Sequence, residues 1–458
     1  MASASAESII KIRKSYQMNR NNIGFAILIS IGVQQTQPWA AEGPCDIYSA
    51  GGTPCVAAYS TARSLSSSYS GPLYQVRKAD GTTKDIGAAA DGFAISADQD
   101  AFCGSSACTI ATLYDQSGKG NHLTKAPAGC YIGTAASPDN ESNAKGRSLT
   151  IGGHKVYGLY MVPQDGYRNN KATGMPIGNA AQGIYEVADG KRGGPACCWD
   201  FGNASTNNCN GGTGLMNSIF FGTGYWGKGA GSGPWFLGDF ENGVWSGGSG
   251  ASNTTNSGNP SMGVDYALGI LKTNATNYAI RVGNAQSGGL TTAYDGKPPA
   301  NWQMKGGIVL GIGGDNSNSS LGTFFEGAIT AGRPADATDA LILKNIQDAG
   351  YGSSVLATRS GAPGDMPIAG SRPYAFKVRY RPSLAIAVVN YTLLESRRMT
   401  LNIFDHQGKR VATLVDGVLS EGGHEAVWEA KRVPVGIYVA SMAIDGRTVW
   451  AEKIIVGK

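Results

Sequence analysis

The stretch Trp235-Phe236-Leu237-Gly238-Asp239-Phe240-Glu241-Asn242-Gly243-Val244-Trp245 decides the fold class. Its aromatic and aliphatic residues at 236, 240 and 244 alternate with a carboxylate pair at 239 and 241. Successive side chains of a β-strand point to opposite faces, so we expect Asp239 and Glu241 to share one face while Phe236, Phe240 and Val244 share the other. The pattern therefore predicts two acids on a rigid β scaffold, although Glu241 could also be an ordinary solvated strand residue.

A further acid, Asp315, follows the strand-like run Gly307-Ile308-Val309-Leu310. The glycines just before Asp315 permit close approach of the backbone to a ligand. The segment Asp315-Asn316-Ser317-Asn318 could instead be a turn, or it could supply calcium ligands, because Asp, Asn and Ser oxygens suit that ion. Hydrolysis of a glycosidic bond needs two carboxyl groups, and Glu241 and Asp315 are the candidates.

The composition favours an all-β protein. The chain has 458 residues, of which 67 are Gly and only 16% are charged, which is typical of many short strands joined by turns. Its net charge is +5, but the excess lies near the two ends of the chain, and residues 41–370 are close to neutral. A nucleic-acid partner requires a concentrated basic face, so a neutral partner such as a carbohydrate fits better.

The amino-terminal residues 1–41 are predicted to be a secretory signal peptide. Basic residues precede an apolar run from Ile23 to Val33, and small residues follow at Ala40 and Ala41. Translation starting at Met18 would give a signal of ordinary length. The run is shorter than the roughly 20 apolar residues that cross a bilayer, so no membrane span is expected in the mature protein.

Eight cysteines in an exported chain predict disulfides, and close spacing favours Cys45 with Cys55 and Cys103 with Cys108. A zinc site is disfavoured because there is no Cys-x-x-Cys pair and only four histidines are present.

The adjacent pair Cys197-Cys198 is unusual. A bond between neighbours requires a distorted ring, so geometry alone favours separate pairing, with Cys130 and Cys209 available as partners. If the two did bond, they would present a flat apolar sulfur face that could stack on a sugar. Trp226 is another candidate sugar platform, although a tryptophan is more often part of the core.

Short apolar runs separated by turns from residue 43 to 358 predict a β-sandwich or jelly roll. A helix is predicted over Asp336–Ala349, with its apolar face at the positions Ala340, Leu341, Leu343 and Ile346. Residues 359–373 are rich in Pro and Gly and predict a linker. Residues 374–458 predict a small immunoglobulin-like sandwich with hairpin turns at 406–409 and 445–447.

Several long motifs together closely resemble the catalytic domain of glycoside hydrolase family 54 α-L-arabinofuranosidases. The resemblance covers roughly residues 43–355, in the family's order. The motifs that carry it are Gly43–Tyr48, Thr53–Ala58, Tyr114–Thr124, Cys197-Cys198, Gly233–Asn242 and Gly311–Asn318.

The resemblance implies an exported, retaining exo-enzyme that releases terminal α-L-arabinofuranose from arabinoxylan and arabinan without a cofactor or metal. It implies that Glu241 is the nucleophile and Asp315 the acid/base. It also implies a vicinal disulfide Cys197-Cys198 against the sugar, together with the bridges Cys45-Cys55 and Cys103-Cys108, and leaves Cys130 and Cys209 as extras. The sugar contacts that it implies are Trp226, Asp239, Asn242 and the backbone of Gly314.

Two departures from the family pattern stand out. Gly243 replaces a second Asn after the nucleophile, which puts one hydrogen bond to the sugar in doubt. The fungal members carry a β-trefoil arabinose-binding module after the catalytic domain, whereas residues 374–458 resemble a type IX secretion sorting domain. That likeness implies a bacterial source, secretion machinery as a partner, and a secreted or surface-attached enzyme; a structural spacer is the alternative.

Two rival functions remain open at this stage. A non-catalytic carbohydrate-binding module on a jelly-roll scaffold would bind sugar and release no product. A related glycosidase would act on β-D-xylosides or galactofuranosides, which share ring size or hydroxyl orientation with arabinofuranosides.

Overall fold

The computed structural model describes residues 42–130, 133–209, 211–224, 226–352, 376–381, 385–393, 396–405, 409–420, 422–431, 433–444 and 447–457. The predicted signal peptide (1–41) and linker (359–373) lie outside the described residues, as do the turn positions 406–408 and 445–446.

The protein is built mainly of β-strands, which confirms the predicted all-β class. The strands before residue 353 are β1 (Cys55–Ser60), β2 (Tyr74–Lys78), β3 (Thr83–Ile86), β4 (Cys108–Leu113), β5 (Leu123–Lys125), β6 (Asn143–Ile151), β7 (His154–Met161), β8 (Tyr167–Asn169), β9 (Gln182–Ala188), β10 (Asp200–Ala204), β11 (Asn217–Gly222), β12 (Lys228–Gly229), β13 (Trp235–Asp239), β14 (Val244–Trp245), β15 (Thr255–Asn256), β16 (Ala267–Asn274), β17 (Asn277–Asn284), β18 (Ser287–Gly296), β19 (Gly307–Leu310) and β20 (Gly322–Ala331).

Two antiparallel layers make up this β-sandwich. One layer has the strand order β18-β17-β16-β9-β20-β1. The other has the order β14-β13-β11-β10-β19-β8-β5-β4-β2-β3. Strands β6 and β7 join them, since β6 pairs with β4 and β7 with β20.

A single aromatic and aliphatic cluster fills the space between the layers. Phe201 of β10 packs edge-on against Phe324 of β20, and Phe221 of β11 lies 4.4 Å from Phe236 of β13 between ring centroids. Because side chains alternate along a strand, the residues between these rings point to the opposite face of the second layer. That opposite face carries the candidate site.

The described helices before residue 353 are α1 (Pro44–Ala50), α2 (Ser96–Cys103) and α3 (Asp336–Asp348), together with a 3₁₀ turn at Gly133–Ala136. The predicted helix at 336–349 is confirmed as α3, but its predicted apolar face is partly wrong. Ala340 and Leu341 are exposed, and Ile342 is buried with Leu343 and Ile346. Polar anchoring explains the rotation, because the buried Lys272 Nζ lies 2.6 Å from the buried Asp339 carboxylate of α3.

The carboxyl-terminal strands form two further sheets around a hydrophobic cluster. These strands are β21 (Phe376–Arg381), β22 (Ile386–Leu393), β23 (Arg397–Asp405), β24 (Arg410–Leu419), β25 (Gly422–Glu429), β26 (Gly436–Ile444) and β27 (Arg447–Val456). One sheet has the order β21-β22-β25 and the other β24-β23-β26-β27, around a core that includes Trp428, Leu401 and Met442. The immunoglobulin-like assignment of this region stays a prediction.

No helix in the described part of the chain is long and apolar enough to cross a membrane.

Candidate active site

One row of cross-strand neighbours runs across the second layer and ends in charges of opposite sign. Arg168 of β8 pairs with Val309 of β19, Val309 with Gly202 of β10, Gly202 with Ser218 of β11, and Ser218 with Asp239 of β13. Paired residues share a face of the sheet, so Arg168 and Asp239 point to the same side.

Glu241 does not lie on a strand, so the prediction that Asp239 and Glu241 share a strand face is wrong. Strand β13 ends at Asp239, and β14 turns back so that Asp239 pairs with Val244. Glu241 and Asn242 occupy the turn with φ values of 68° and 57°. This left-handed backbone is uncommon for residues other than glycine. An Asp239 oxygen accepts the Glu241 N–H at 2.9 Å, which stabilises the turn.

The turn buries the Glu241 side chain, which is only 5% exposed. The interpretation of Glu241 as a solvated strand residue is therefore wrong. No N–H or O–H group in the described part of the chain donates to its Oε2 atom. An acid that turns inward at a hairpin tip in a left-handed conformation is a frequent feature of functional sites.

Asp315 lies on the loop that leaves β19, whose predicted run at 307–310 is confirmed as a strand. Its Oδ1 accepts the Ser317 N–H at 3.0 Å, and the Gly313 N–H donates to the Ser317 carbonyl at 2.9 Å. The loop is thus a turn, as one interpretation of the sequence held. Asp315 itself is half-buried.

Two side chains that the sequence did not single out, those of Arg168 and Asp139, hold the Asp315 loop by hydrogen bonds. Arg168 donates to the Gly314 carbonyl at 2.9 Å, and Asp139 accepts the side-chain amides of Asn316 and Asn318 at 3.1 and 2.5 Å. These amides are therefore committed to Asp139 and hold the loop in place.

Gly314 brings the two acid-bearing segments together. A Cβ built on Gly314 would lie 2.4 Å from the Oε2 atom of Glu241, closer than real side-chain atoms approach one another. The backbone beside Asp315 therefore touches the Glu241 carboxyl directly, and only glycine permits this approach. The charges of Asp315 and Asp239 both act on Glu241, as does that of Arg168.

The structure joins Cys197 to Cys198, as the family resemblance implied and contrary to the separate pairing that geometry alone favoured. The peptide between them is cis, which places their α-carbons 2.9 Å apart. The disulfide lies between the two halves of the site. The Cys198 sulfur is 3.8 Å from an Asp239 oxygen, and the Cys197 sulfur is 3.6 Å from the Ser317 hydroxyl.

The remaining cysteines are also paired. Cys45 is joined to Cys55 and Cys103 to Cys108, as predicted, and Cys130 is joined to Cys209, a pairing that the sequence left open. The sulfurs of Cys197 and Cys198 lie close to Asp239, but a metal ligand must be a thiolate, and these sulfurs are bonded to one another. The residues do not fit a metal site in this state.

Trp226 and Asn242 lie at the rim of the same hairpin. Trp226 is 36% exposed and precedes Gly227, whose N–H donates to the Val244 carbonyl at 3.2 Å. Asn242 is exposed in the Glu241 turn. A Cβ on Gly243 would lie 2.6 Å from the Ser252 side chain, so Ser252 occupies the space that a second Asn would need.

Burial and the like charges of neighbouring acids raise the pKa values of Glu241 and Asp239. Burial chiefly raises the pKa of Glu241 to about 8, the charges of Asp239 and Asp315 add to this, and Arg168 opposes it. Burial likewise raises the pKa of Asp239 to about 7, although the hydrogen bond from the Glu241 N–H opposes this rise. Neighbouring carboxyls that cannot all ionise are typical of acid/base sites.

Three further ionisable residues in or near the site were missed in the sequence. Arg168 is nine-tenths or more shielded from solvent, and burial lowers its pKa. Asp200 and Glu186 are fully buried acids on β10 and β9. Each sits in a strand without a neighbouring charged residue. Strand pairing places Arg168 and Asp200 on the face of Asp239, whereas Glu186 is linked to the site only through its charge acting on Asp200.

Comparisons with known proteins show the family of the chain. Residues 44–352 match the family model described as alpha-L-arabinofuranosidase B, catalytic. A probable alpha-L-arabinofuranosidase B from Aspergillus fumigatus is 47% identical over 342 residues, which are 73% of this chain and 67% of that protein. A GH54 α-L-arabinofuranosidase soaked with a cyclic sulfate inhibitor has a TM-score of 0.65 and 42% identity, covering 78% of this chain and 73% of that one. An arabinofuranosidase complexed with arabinofuranosyl-α-1,2-xylobiose has a TM-score of 0.65 and 41% identity, with the same coverage.

These findings define the class of protein first: the chain is a glycoside hydrolase. More closely, it belongs to the α-L-arabinofuranosidase B family, the glycoside hydrolase family 54 enzymes that the sequence resembles. The activity of the chain is accordingly that of an α-L-arabinofuranosidase.

Proposed function

We propose that the protein is a retaining exo-α-L-arabinofuranosidase that releases terminal L-arabinofuranose from arabinoxylan and arabinan. The observation that carries this proposal is the contact at Gly314, which brings the Glu241 carboxyl against the loop of Asp315. A related structure holds an arabinofuranosyl group linked to xylobiose, which supports arabinose-decorated xylan as the substrate class.

Glu241 is the nucleophile in this proposal. Its Oε2 receives no hydrogen bond from the described protein, so in the ionised form its lone pairs are available to attack the anomeric carbon. Asp315 protonates the departing glycosidic oxygen, and it then removes a proton from the water that hydrolyses the glycosyl-enzyme intermediate. Because Asp315 is less buried than Glu241, water can reach its carboxylate for the second step.

The other predicted residues would hold the sugar. The vicinal disulfide Cys197-Cys198 offers an apolar face beside Asp239, whose carboxylate can accept bonds from sugar hydroxyls. Trp226, Asn242 and the Gly314 backbone would close the subsite around the ring. This substrate is neutral, which matches the nearly neutral catalytic region of the chain.

The decisive experiment is azide rescue of Glu241→Ala and Asp315→Ala, with an activated aryl α-L-arabinofuranoside as substrate. Each variant should lose several orders of magnitude in rate without azide. In Glu241→Ala, azide should replace the nucleophile and give the β-configured glycosyl azide. In Asp315→Ala, azide should attack the intermediate and give the α-configured product.

Nuclear magnetic resonance of the products distinguishes the two outcomes. Identical azide anomers from both variants, or near-native turnover of either one, would refute the assignment of roles. Retention itself is checked by the anomer released first by the native enzyme, and a first-formed β anomer would indicate inversion.

A substrate panel tests the rival functions. Arabinofuranosides should be cleaved in preference to matched β-D-xylosides and galactofuranosides. Binding without release of product would favour a carbohydrate-binding module, and preference for either of the other sugars would overturn the proposed specificity.

We further propose that residues 1–41 direct export, with translation starting at Met18, and that residues 374–458 are a type IX sorting domain of a bacterial enzyme. Fusing residues 374–458 to an exported reporter in a bacterium with that secretion system tests the second point. Reporter at the cell surface or in the medium supports it, and a reporter retained in the periplasm refutes it.

A further inference from the structure

Asp200 lies beside the site but has no role in the chemistry described above. It opens β10 and pairs with Phe220 of β11, which pairs with Leu237 of β13. Asp239 is two residues further along β13, so Asp200 and Asp239 point to the same face of the sheet. The two side chains interact, because the same interaction raises the pKa of Asp200 and lowers that of Asp239.

The surroundings of Asp200 contain acids. Its side chain is 0% exposed, and no N–H or O–H group of the described residues donates to either of its oxygens. The titratable groups that act on it are Asp239 of β13, Glu186 of β9 and Glu241 of the hairpin turn. Two carboxylates cannot form a hydrogen bond unless one of them carries a proton.

We propose that Asp200 is a positioning residue that stays protonated across the working range and donates its O–H to the Asp239 carboxylate. The Asp239 carboxylate accepts that bond, and its hydrogen bond from the Glu241 N–H at 2.9 Å fixes the turn that presents Glu241. This inference rests on the proposed role of Glu241 as nucleophile.

Electrostatics agree with the direction of this hydrogen bond. Burial raises the pKa of Asp200 well above its usual range, and the neighbouring acids add to that rise. The same hydrogen bond lowers the pKa of Asp239. Arg168 is the cation that acts on Glu241, and it lies at the far end of the strand row from Asp239.

Glu186 provides a matched control. It is also 0% exposed, and neither of its oxygens has a hydrogen-bond partner among the described residues. Its cross-strand neighbours are Gly269 and Gly327, rather than a strand of the site. Burial raises its pKa as well, so it should also be protonated, but without a hydrogen bond to Asp239.

The first test is Asp200→Asn, which preserves shape, neutrality and a donor. We expect native kcat/KM and an unmoved pH profile. If Asp200 were instead ionised, the substitution would remove a negative charge beside Asp239 and Glu241 and so lower their pKa values. The acid limb of the profile would then move to lower pH, and that result would overturn the proposal.

The second test is Asp200→Leu, which keeps the size of the side chain but removes the donor. The buried Asp239 carboxylate loses a hydrogen bond, so its pKa should rise and the acid limb should move to higher pH. A loss of about tenfold or more in kcat/KM is expected at the low-pH end, since an unmet buried acceptor costs about 1–3 kcal/mol. A purely structural Asp200 would leave the pH profile unmoved in both variants.

Infrared difference spectroscopy tests the proton without reference to activity. The C=O stretch of a hydrogen-bonded carboxylic acid should be present at neutral pH in the native protein and absent in Asp200→Asn. Glu186→Gln should remove a different band, that of an acid without a hydrogen bond. An unchanged carboxylic-acid spectrum in Asp200→Asn would overturn the proposal, whether or not Glu241 is the nucleophile. Loss of the band would show that Asp200 is protonated, and this result too does not depend on the role of Glu241.

Discussion

At the scale of single residues, folding buries the acids Asp200, Asp239 and Glu241, and this should cost stability. The folded-state pKa of Glu241 is raised from 4.5 to about 8, so the folded protein binds more protons than the unfolded chain between those pH values. Stability is therefore fully present below the unfolded pKa and falls as pH rises through the folded one.

Glu241→Gln should accordingly stabilise the protein against unfolding. The gain should be a few kcal/mol at pH 8 and much smaller at pH 5, because a shift of one pKa unit corresponds to about 1.4 kcal/mol. Denaturant unfolding at the two pH values measures it. The exposed Glu42→Gln serves as control, and an equal gain at both pH values would contradict the pH-linked origin of the effect.

Residue identity could be predicted here only where a local pattern marked it. Glu241 and Asp315 stand out because aromatic residues or glycines surround them in the sequence. Arg168 and Asp200 do not, since their relation to the site depends on strand pairing across β8, β19, β10 and β13. The residues next to Arg168 and Asp200 in the sequence do not indicate which distant strands pair with theirs.

At the scale of elements, the site depends on two turns meeting at one glycine. A Cβ on Gly314 would lie 2.4 Å from the Glu241 Oε2, whereas the Gly314 backbone itself does not require a positive φ. Gly314→Ala should therefore fold and yet displace the Glu241 carboxyl. A misplacement near 1 Å can lower the rate about 100-fold, so kcat/KM should fall on that order.

Gly289→Ala is the matched control for this change, because a Cβ there meets nothing within 4 Å. It should leave kcat/KM unaltered. Native activity in Gly314→Ala with an unchanged melting temperature would show that the contact is not needed for catalysis.

The same hairpin shows why periodicity gave the wrong local structure. The alternation of apolar residues and acids from 235 to 245 matches a strand, and the structure has strands on both sides of the turn, β13 and β14. The pattern carries no signal for the left-handed conformation of Glu241 and Asn242, because both residues adopt it without being glycine. The run before Asp315 was predicted correctly because its glycines and apolar residues separate a strand from a loop.

At the scale of the whole molecule, the two largest hydrophobic cores of the described residues are built from different parts of the chain. The larger core draws on residues between Cys45 and Tyr351, and the smaller one on residues between Ala387 and Val456. All eight cysteines lie within the segment of the larger core, between positions 45 and 209. The composition shift after residue 358 predicts a domain boundary between these segments.

The division predicts that residues 42–352 fold and hydrolyse aryl arabinofuranosides with the kcat/KM of the full chain. Calorimetry of the full chain should show two transitions, because each core can unfold without disrupting the side-chain packing of the other. A reducing agent should lower only the transition of the segment 42–352, since disulfides stabilise by restricting the unfolded chain and only that segment contains them. A single transition that shifts as a whole on reduction, or an inactive 42–352 segment, would mean that the two cores form one cooperative unit.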